Sequence, residues 1–80
     1  MERRQSLRMR TLKAARILFN QHKSVIDCTV RNLSPTGACL TVPSVVGIPD
    51  RFEVWFDADK SIRPCRVVWH KERLLGVEFA

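Results

Sequence analysis

No stretch of this chain is apolar for more than a few residues, so no segment is long enough to span a membrane as a helix. The Arg-rich start, Met1 to Arg10, leads into no long apolar region and so is not a secretory signal. There is no Cys-x-x-Cys, and three cysteines make an odd count, which argues against both a disulfide framework and a zinc site. Only two histidines are present, with no metal-binding spacing, no Ser/His/Asp set and no pair of catalytic carboxylates, so the chain does not read as an enzyme. Clean helical periodicity is missing throughout. Acidic residues are also scarce at one end. Residues 1–24 carry seven Lys or Arg against the single acid Glu2, whereas residues 25–80 carry seven of each sign. The whole formal charge of +6 therefore belongs to the arm and the first strand, a basic attachment on a neutral body, suited to an anionic partner.

What is present is alternation. Ala15, Ile17 and Phe19 share one face of a strand over Lys13 to Phe19, and Asn20 to Lys23 reads as a polar turn with His22 exposed. A second strand runs from about Ser24 to Leu33 and a third from Gly37 to Val42, with Ala38, Leu40 and Val42 inward. Pro43 to Pro49 reads as a loop with Val45, Val46 and Ile48 as apolar plugs over a barrel end. Arg51 to Phe56 places Phe52, Val54 and Phe56 inward and Trp55 outward. Ser61 to His70 places Cys65, Val67 and Trp69 inward, and Leu74 to Phe79 closes with Leu75, Val77 and Phe79 inward. Six short antiparallel strands in one 80-residue domain predict an all-β, six-stranded antiparallel barrel, which leaves no sheet edge open. Cys28 and Cys65 are expected as buried reduced thiols, and Cys39 as the outward one, open to oxidation.

The most ordered polar stretch is Arg31-Asn32-Leu33-Ser34-Pro35-Thr36-Gly37. Ser34 suits the first position of a type I turn, Pro35 presets the second, and Gly37 suits the last, where it can take the left-handed conformation of a bulged hairpin. Ile26, Cys28 and Val30 alternate, but the next apolar residue, Leu33, comes an odd step of three later. For Leu33 to point inward the strand must slip by one residue near Arg31 or Asn32, which is a β-bulge. Asn32 and Ser34 then face outward together.

Arg4-x-x-x-Arg8 in the N-terminal arm, followed by Asn32-x-Ser34-x-x-Gly37, resembles the signature of the PilZ domain, a small β-barrel that binds cyclic di-GMP. The resemblance runs along nearly the whole chain, including Cys65-Arg66-Val67-Val68-Trp69 and Leu75-Gly76-Val77-Glu78-Phe79. It implies a minimal single-domain member of split-barrel type, with residues 1–12 as a basic arm and residues 13–80 as the barrel. Many PilZ domains carry a helix after the last strand; with the sequence stopping at Ala80, that helix is expected to be missing here. It also implies a site. Arg4 and Arg8 would bind phosphate and guanine from the arm, with Arg3 and Arg10 as helpers. Asn32 and Ser34 would receive guanine or ribose-phosphate on the barrel, and Gly37 would shape the turn. The chemistry fits, because guanidinium forks match both phosphate oxygens and the N7/O6 edge of guanine. Asn32 supplies a neutral acceptor where Asp would add a charge. No cofactor beyond the ligand cyclic di-GMP is expected. The implied device is an arm that ligand closes over the barrel, altering the surface offered to a downstream effector protein in the cytoplasm, without membrane insertion. Two other readings compete. One is a PilZ-like interaction module that does not bind the nucleotide. The other is a basic-arm barrel for nucleic acid, which the neutral body and sparse outward aromatics disfavour.

Overall fold

The computed structural model describes residues 9–80. Six strands follow in chain order: β1 (Met9–Phe19), β2 (Ser24–Leu33), β3 (Gly37–Thr41), β4 (Arg51–Phe56), β5 (Ser61–Lys71) and β6 (Leu74–Phe79). They close into one antiparallel barrel in the order β1-β2-β3-β6-β5-β4. Consecutive strands form hairpins except across the loop from β3 to β4, which carries the chain over a barrel end. Val42 N–H donates to the Arg73 carbonyl at 2.9 Å on entering that loop, and Val67 N–H donates to the Asp50 carbonyl at 2.8 Å where it returns. Among the described residues there is no helix, and so none long and apolar enough to cross a membrane.

Alternation does what it predicts over most of the wall. Ile17, Val30, Leu40, Val42 and Val54 are all but sealed from solvent, with Ala15, Cys28, Phe52, Phe56, Cys65, Leu75 and Val77 around them. Each sealed aliphatic side chain contributes about 1.5–3 kcal/mol of transfer free energy. In a barrel this small, these residues are the fold's main support. Phe56 and Phe79 meet edge to face at 6.2 Å, closing one end. Of the three expected plugs, Val45 and Ile48 pack on the core, but Val46 is exposed, so the loop covers the barrel with two side chains.

Three departures from regular pairing matter. The first is in β2, where Val30 faces Leu40 and Asn32 faces Cys39, leaving Arg31 as the extra residue. This is the bulge that the spacing of Leu33 demands, and Leu33 packs against the core as expected. The second is in β1, which begins at Met9 rather than Lys13. Met9 is paired with Leu33 and Arg10 with Asn32, but Thr11 and Leu12 together oppose the one residue Arg31. That irregularity hides the strand's period from sequence. The third is in β5, where Val67 faces Val77 and Trp69 faces Gly76, leaving Val68 over. This slip overturns one expectation. Trp69 does not continue the inward face of Cys65 and Val67 but points out of the barrel, 47% exposed.

Candidate functional site

The β2 and β5 bulges flank a single line of residues. Asn32 on β2 faces Cys39 on β3, Cys39 faces Gly76 on β6, and Gly76 faces Trp69 on β5. The line crosses four strands, so its ends lie about 14 Å apart. Its inward neighbours Leu40, Leu75 and Val77 are buried, which puts the line on the outer wall. The two middle members are small and the two outer ones large, so the wall is hollowed. The result is a cavity of about 350 Å³ bounded by Asn32 and Ser34 on one rim and Val68 and Trp69 on the other. That is near the small end of the size range for ligand pockets, roughly 300–1,000 Å³.

The rim beside Asn32 is built by Ser34. Its main-chain N–H donates to the Gly37 carbonyl at 2.9 Å. Its hydroxyl oxygen accepts from the Thr36 N–H at 3.3 Å and the Gly37 N–H at 3.2 Å. A serine side chain thus ties down both donors of the turn, the usual way short hydroxyl residues stabilise such bends. These bonds are long, and among the described residues the hydroxyl proton has the Gly37 carbonyl at 3.3 Å or Thr36 Oγ1 at 3.4 Å to bond, both weak enough to let it reorient toward a ligand.

Gly37 lines the same cavity, but for a different reason from the one its turn position implies. Its φ is not positive; among the glycines only Gly47 is left-handed. Instead, a Cβ at Gly37 would collide with the main-chain carbonyl oxygen of Val77. Glycine is required there because β3 starts tight against β6. Gly76 is constrained from the other side, since a Cβ there would collide with the five-membered ring of the Trp69 indole.

The cavity wall contains no charged side chain among the described residues. It offers an amide at Asn32, hydroxyl and main-chain groups at Ser34, a thiol at Cys39 and an indole. Burial pushes the other two thiols up to about 12, Cys28 additionally through the nearby Asp27 carboxylate, so both stay protonated near neutrality. Only Cys39 is partly open. Among the described residues no cluster of three or more His, Cys, Asp or Glu could hold a metal ion.

Asn32, Ser34 and Gly37, picked out on the sequence, therefore meet in one place. Arg10 lies on β1 directly across from Asn32 in register. Arg3, Arg4 and Arg8 lie outside the described residues. Sequence reasoning missed Trp69, Gly76 and Val68. The signals were there: Val67-Val68-Trp69 cannot alternate, and an isolated glycine within a strand marks a bulge or a close approach.

The described residues form a closed six-stranded barrel with a hollow on its outer wall. The sequence model of the PilZ domain family matches residues 2–80, and the chain belongs to that family, whose members in general bind cyclic di-GMP and act as binding or adaptor modules. No curated protein and no solved structure matches the chain.

Proposed function

We propose that this chain is a cyclic di-GMP receptor domain in which the basic arm closes over a ligand seated in the Asn32–Trp69 hollow. The observation that carries this reading is a division of labour. The described residues of the hollow supply hydrogen-bonding groups and no charge, while the ligand brings two phosphates. The charge surplus lies in the chain's first 24 residues. That segment enters the barrel at the hollow's edge, since Met9 is paired with Leu33 and Arg10 with Asn32. Arg8 is the residue before Met9. Arg4 is five residues before it, within about 18 Å of chain at full extension. Both can reach the hollow, where each guanidinium is suited to a phosphate or to a guanine edge. Asn32 would accept from a guanine N–H, and the Ser34 hydroxyl would turn to the base or ribose-phosphate.

The domain would act as an adaptor rather than an enzyme. Closing the arm would change the surface presented to a downstream effector protein. Three unpaired cysteines suit the reducing cytoplasm. The test is isothermal titration with cyclic di-GMP at physiological salt, with GTP as control. Saturable heat with the cyclic dinucleotide alone is expected. No heat would remove the receptor reading, and binding to oligonucleotides with steep salt dependence and no preference for the dinucleotide would replace it with nucleic-acid binding.

A further inference from the structure

The geometry points to the outer wall of β4, β5 and β6 as the surface on which this domain docks its protein partner, with Arg51 and Arg66 together receiving an acidic side chain of that partner. The inference rests on the adaptor reading above and deepens it by giving the partner a place and a charge.

Three observations converge. The first is a second concavity, away from the Asn32–Trp69 line. It holds about 500 Å³, and Arg51, Glu53, Pro64, Arg66 and Glu78 are among the residues that line it. These five lie on the outer wall, since the alternate residues Phe52, Val54 and Cys65 on β4 and β5 are buried. The polar lining here is charged, where that of the first hollow is not. The side chains of Arg66 and Glu78 are both more than half exposed, at 57% and 51%, which opens the concavity to the surface of another protein.

The second is an unbalanced row of charge. Arg51 stands directly opposite Arg66, and Arg66 directly opposite Glu78. Two cations facing each other across a strand pair repel. Glu78 answers one of them, its Oε1 accepting from Arg66 Nε at 3.1 Å and Nη2 at 2.8 Å. Arg51 has no carboxylate partner among the described residues, and Glu53, the other acid in the concavity, is engaged by His22. The wall therefore holds one uncompensated guanidinium beside one used along a single edge. A carboxylate set between the two relieves the repulsion and meets the donor forks that arginine presents.

The third is where the row ends. Glu78 stands directly opposite Gly37, and the next residue, Phe79, donates its N–H to the Thr36 carbonyl at 2.8 Å. The Arg51–Arg66–Glu78 row thus runs into the Ser34–Gly37 turn, the near rim of the uncharged hollow. A partner seated on the row stands about one strand spacing, roughly 4.8 Å, from that turn. This is where an adaptor needs its partner, beside the part of the wall that a nucleotide would engage. An acidic partner also complements a chain of formal charge +6, which draws it in.

The test is a nuclear magnetic resonance titration of the isotope-labelled full chain, with end-capped tetraglutamate as the probe and tetralysine as the control. Tetraglutamate should shift the Arg51 and Arg66 Nε–H signals and the Glu78 main-chain N–H saturably, at about millimolar concentration, as exposed ion pairs allow. Tetralysine should leave them in place. Arg51→Ala should weaken the response about threefold or more. Glu78→Gln removes the carboxylate that competes for Arg66 and should strengthen it about threefold, which a merely structural role for the pair would not do. Thermal melts of both variants should stay close to wild type, since the side chains are on the surface. Shifts confined to the arm, wild-type affinity in Arg51→Ala, or weaker binding in Glu78→Gln would overturn the assignment. The same signals moving with protein concentration alone would also overturn it, in favour of a second copy of the chain. Neither arginine lines the Asn32–Trp69 hollow, so both variants should bind cyclic di-GMP as wild type does, and calorimetry reads the receptor proposal separately. Nucleotide binding without a tetraglutamate response would overturn the docking surface alone.

Discussion

The two tryptophans sit on adjacent strands, β4 and β5, and both point outward, yet the barrel treats them oppositely. Around Trp55 the alternation is unbroken and the charged side chains Arg16, Lys60 and Glu53 beside it are engaged. Arg16 stacks on the ring and reaches Asp27 at 3.6 Å, Lys60 covers the ring too, and His22 pairs with Glu53. Around Trp69 the alternation breaks, at Val68 and again across the hollow at Arg31, and the wall formed by the described residues is left concave and uncharged. One face satisfies itself. The other leaves polar groups, an indole and a thiol with room for something else. A folded chain shows where its business lies by where it departs from the local rules it otherwise keeps.

The contrast can be broken by mutation, and the largest effect is expected from the arm. Arg8→Ala should cost about 2–4 kcal/mol of cyclic di-GMP binding, as removal of one partner from an enclosed charge pair does, with the thermal melt unchanged. Calorimetry showing wild-type affinity would take Arg8 out of the site. Next comes Gly37→Ala, which must push β3 away from the Val77 carbonyl and should lower stability by about 1–3 kcal/mol in a urea titration. A midpoint equal to wild type would mean that the two strands part at no cost.

The buried thiols give the third expectation. Their ordinary value is 9.0 and burial raises both to about 12 in the folded state. The unfolded chain therefore loses these protons first as pH rises. Stability should be at its full value below about pH 9 and fall as pH rises from about 9 towards 12. Cys28→Ala with Cys65→Ala should flatten that slope, and an unaltered slope would assign the alkaline loss to other groups. Ser34→Ala should have a smaller effect, about 1 kcal/mol of stability from the two turn bonds, together with weaker ligand binding. Equal stability and a superimposable titration would leave Ser34 without a role. The smallest is Trp55→Ala, which should cost about 0.5–1 kcal/mol of stability through the lost cation contacts and leave binding untouched. A binding defect there would show that the two tryptophans are not so different.

Much of this was readable in the amino-acid order because barrel walls obey a period of two. Phe52, Val54 and Phe56 needed only alternation, and the β2 bulge followed from the single odd step before Leu33. The near rim of the hollow was readable as well, since Asn, Ser, Pro and Gly each have a specific backbone use in a turn. The far rim was not. Val67, Val68 and Trp69 are all apolar, so hydropathy cannot say which one slips, and the inward reading of Trp69 was the regular one. What decides the matter is Gly76, which is remote from Trp69 by a turn and opposite it only once β5 and β6 pair. Gly37 shows a related limit: its position in the turn is plain from sequence, but its reason is a carbonyl on β6 that no local pattern contains. The start of β1 was obscured by its own irregularity opposite Arg31.

The most direct test of the central claim, that ligand sits on the Asn32–Cys39–Gly76–Trp69 line, uses the cysteine at its centre. Cys28 and Cys65 are buried, so alkylation of the native chain by iodoacetamide should report Cys39 alone, and mass spectrometry of the digested product identifies the site. Saturating cyclic di-GMP should slow Cys39 alkylation severalfold, while GTP at the same concentration should not. An alkylation rate at Cys39 unchanged by cyclic di-GMP would contradict the account, whatever else the nucleotide does to the chain.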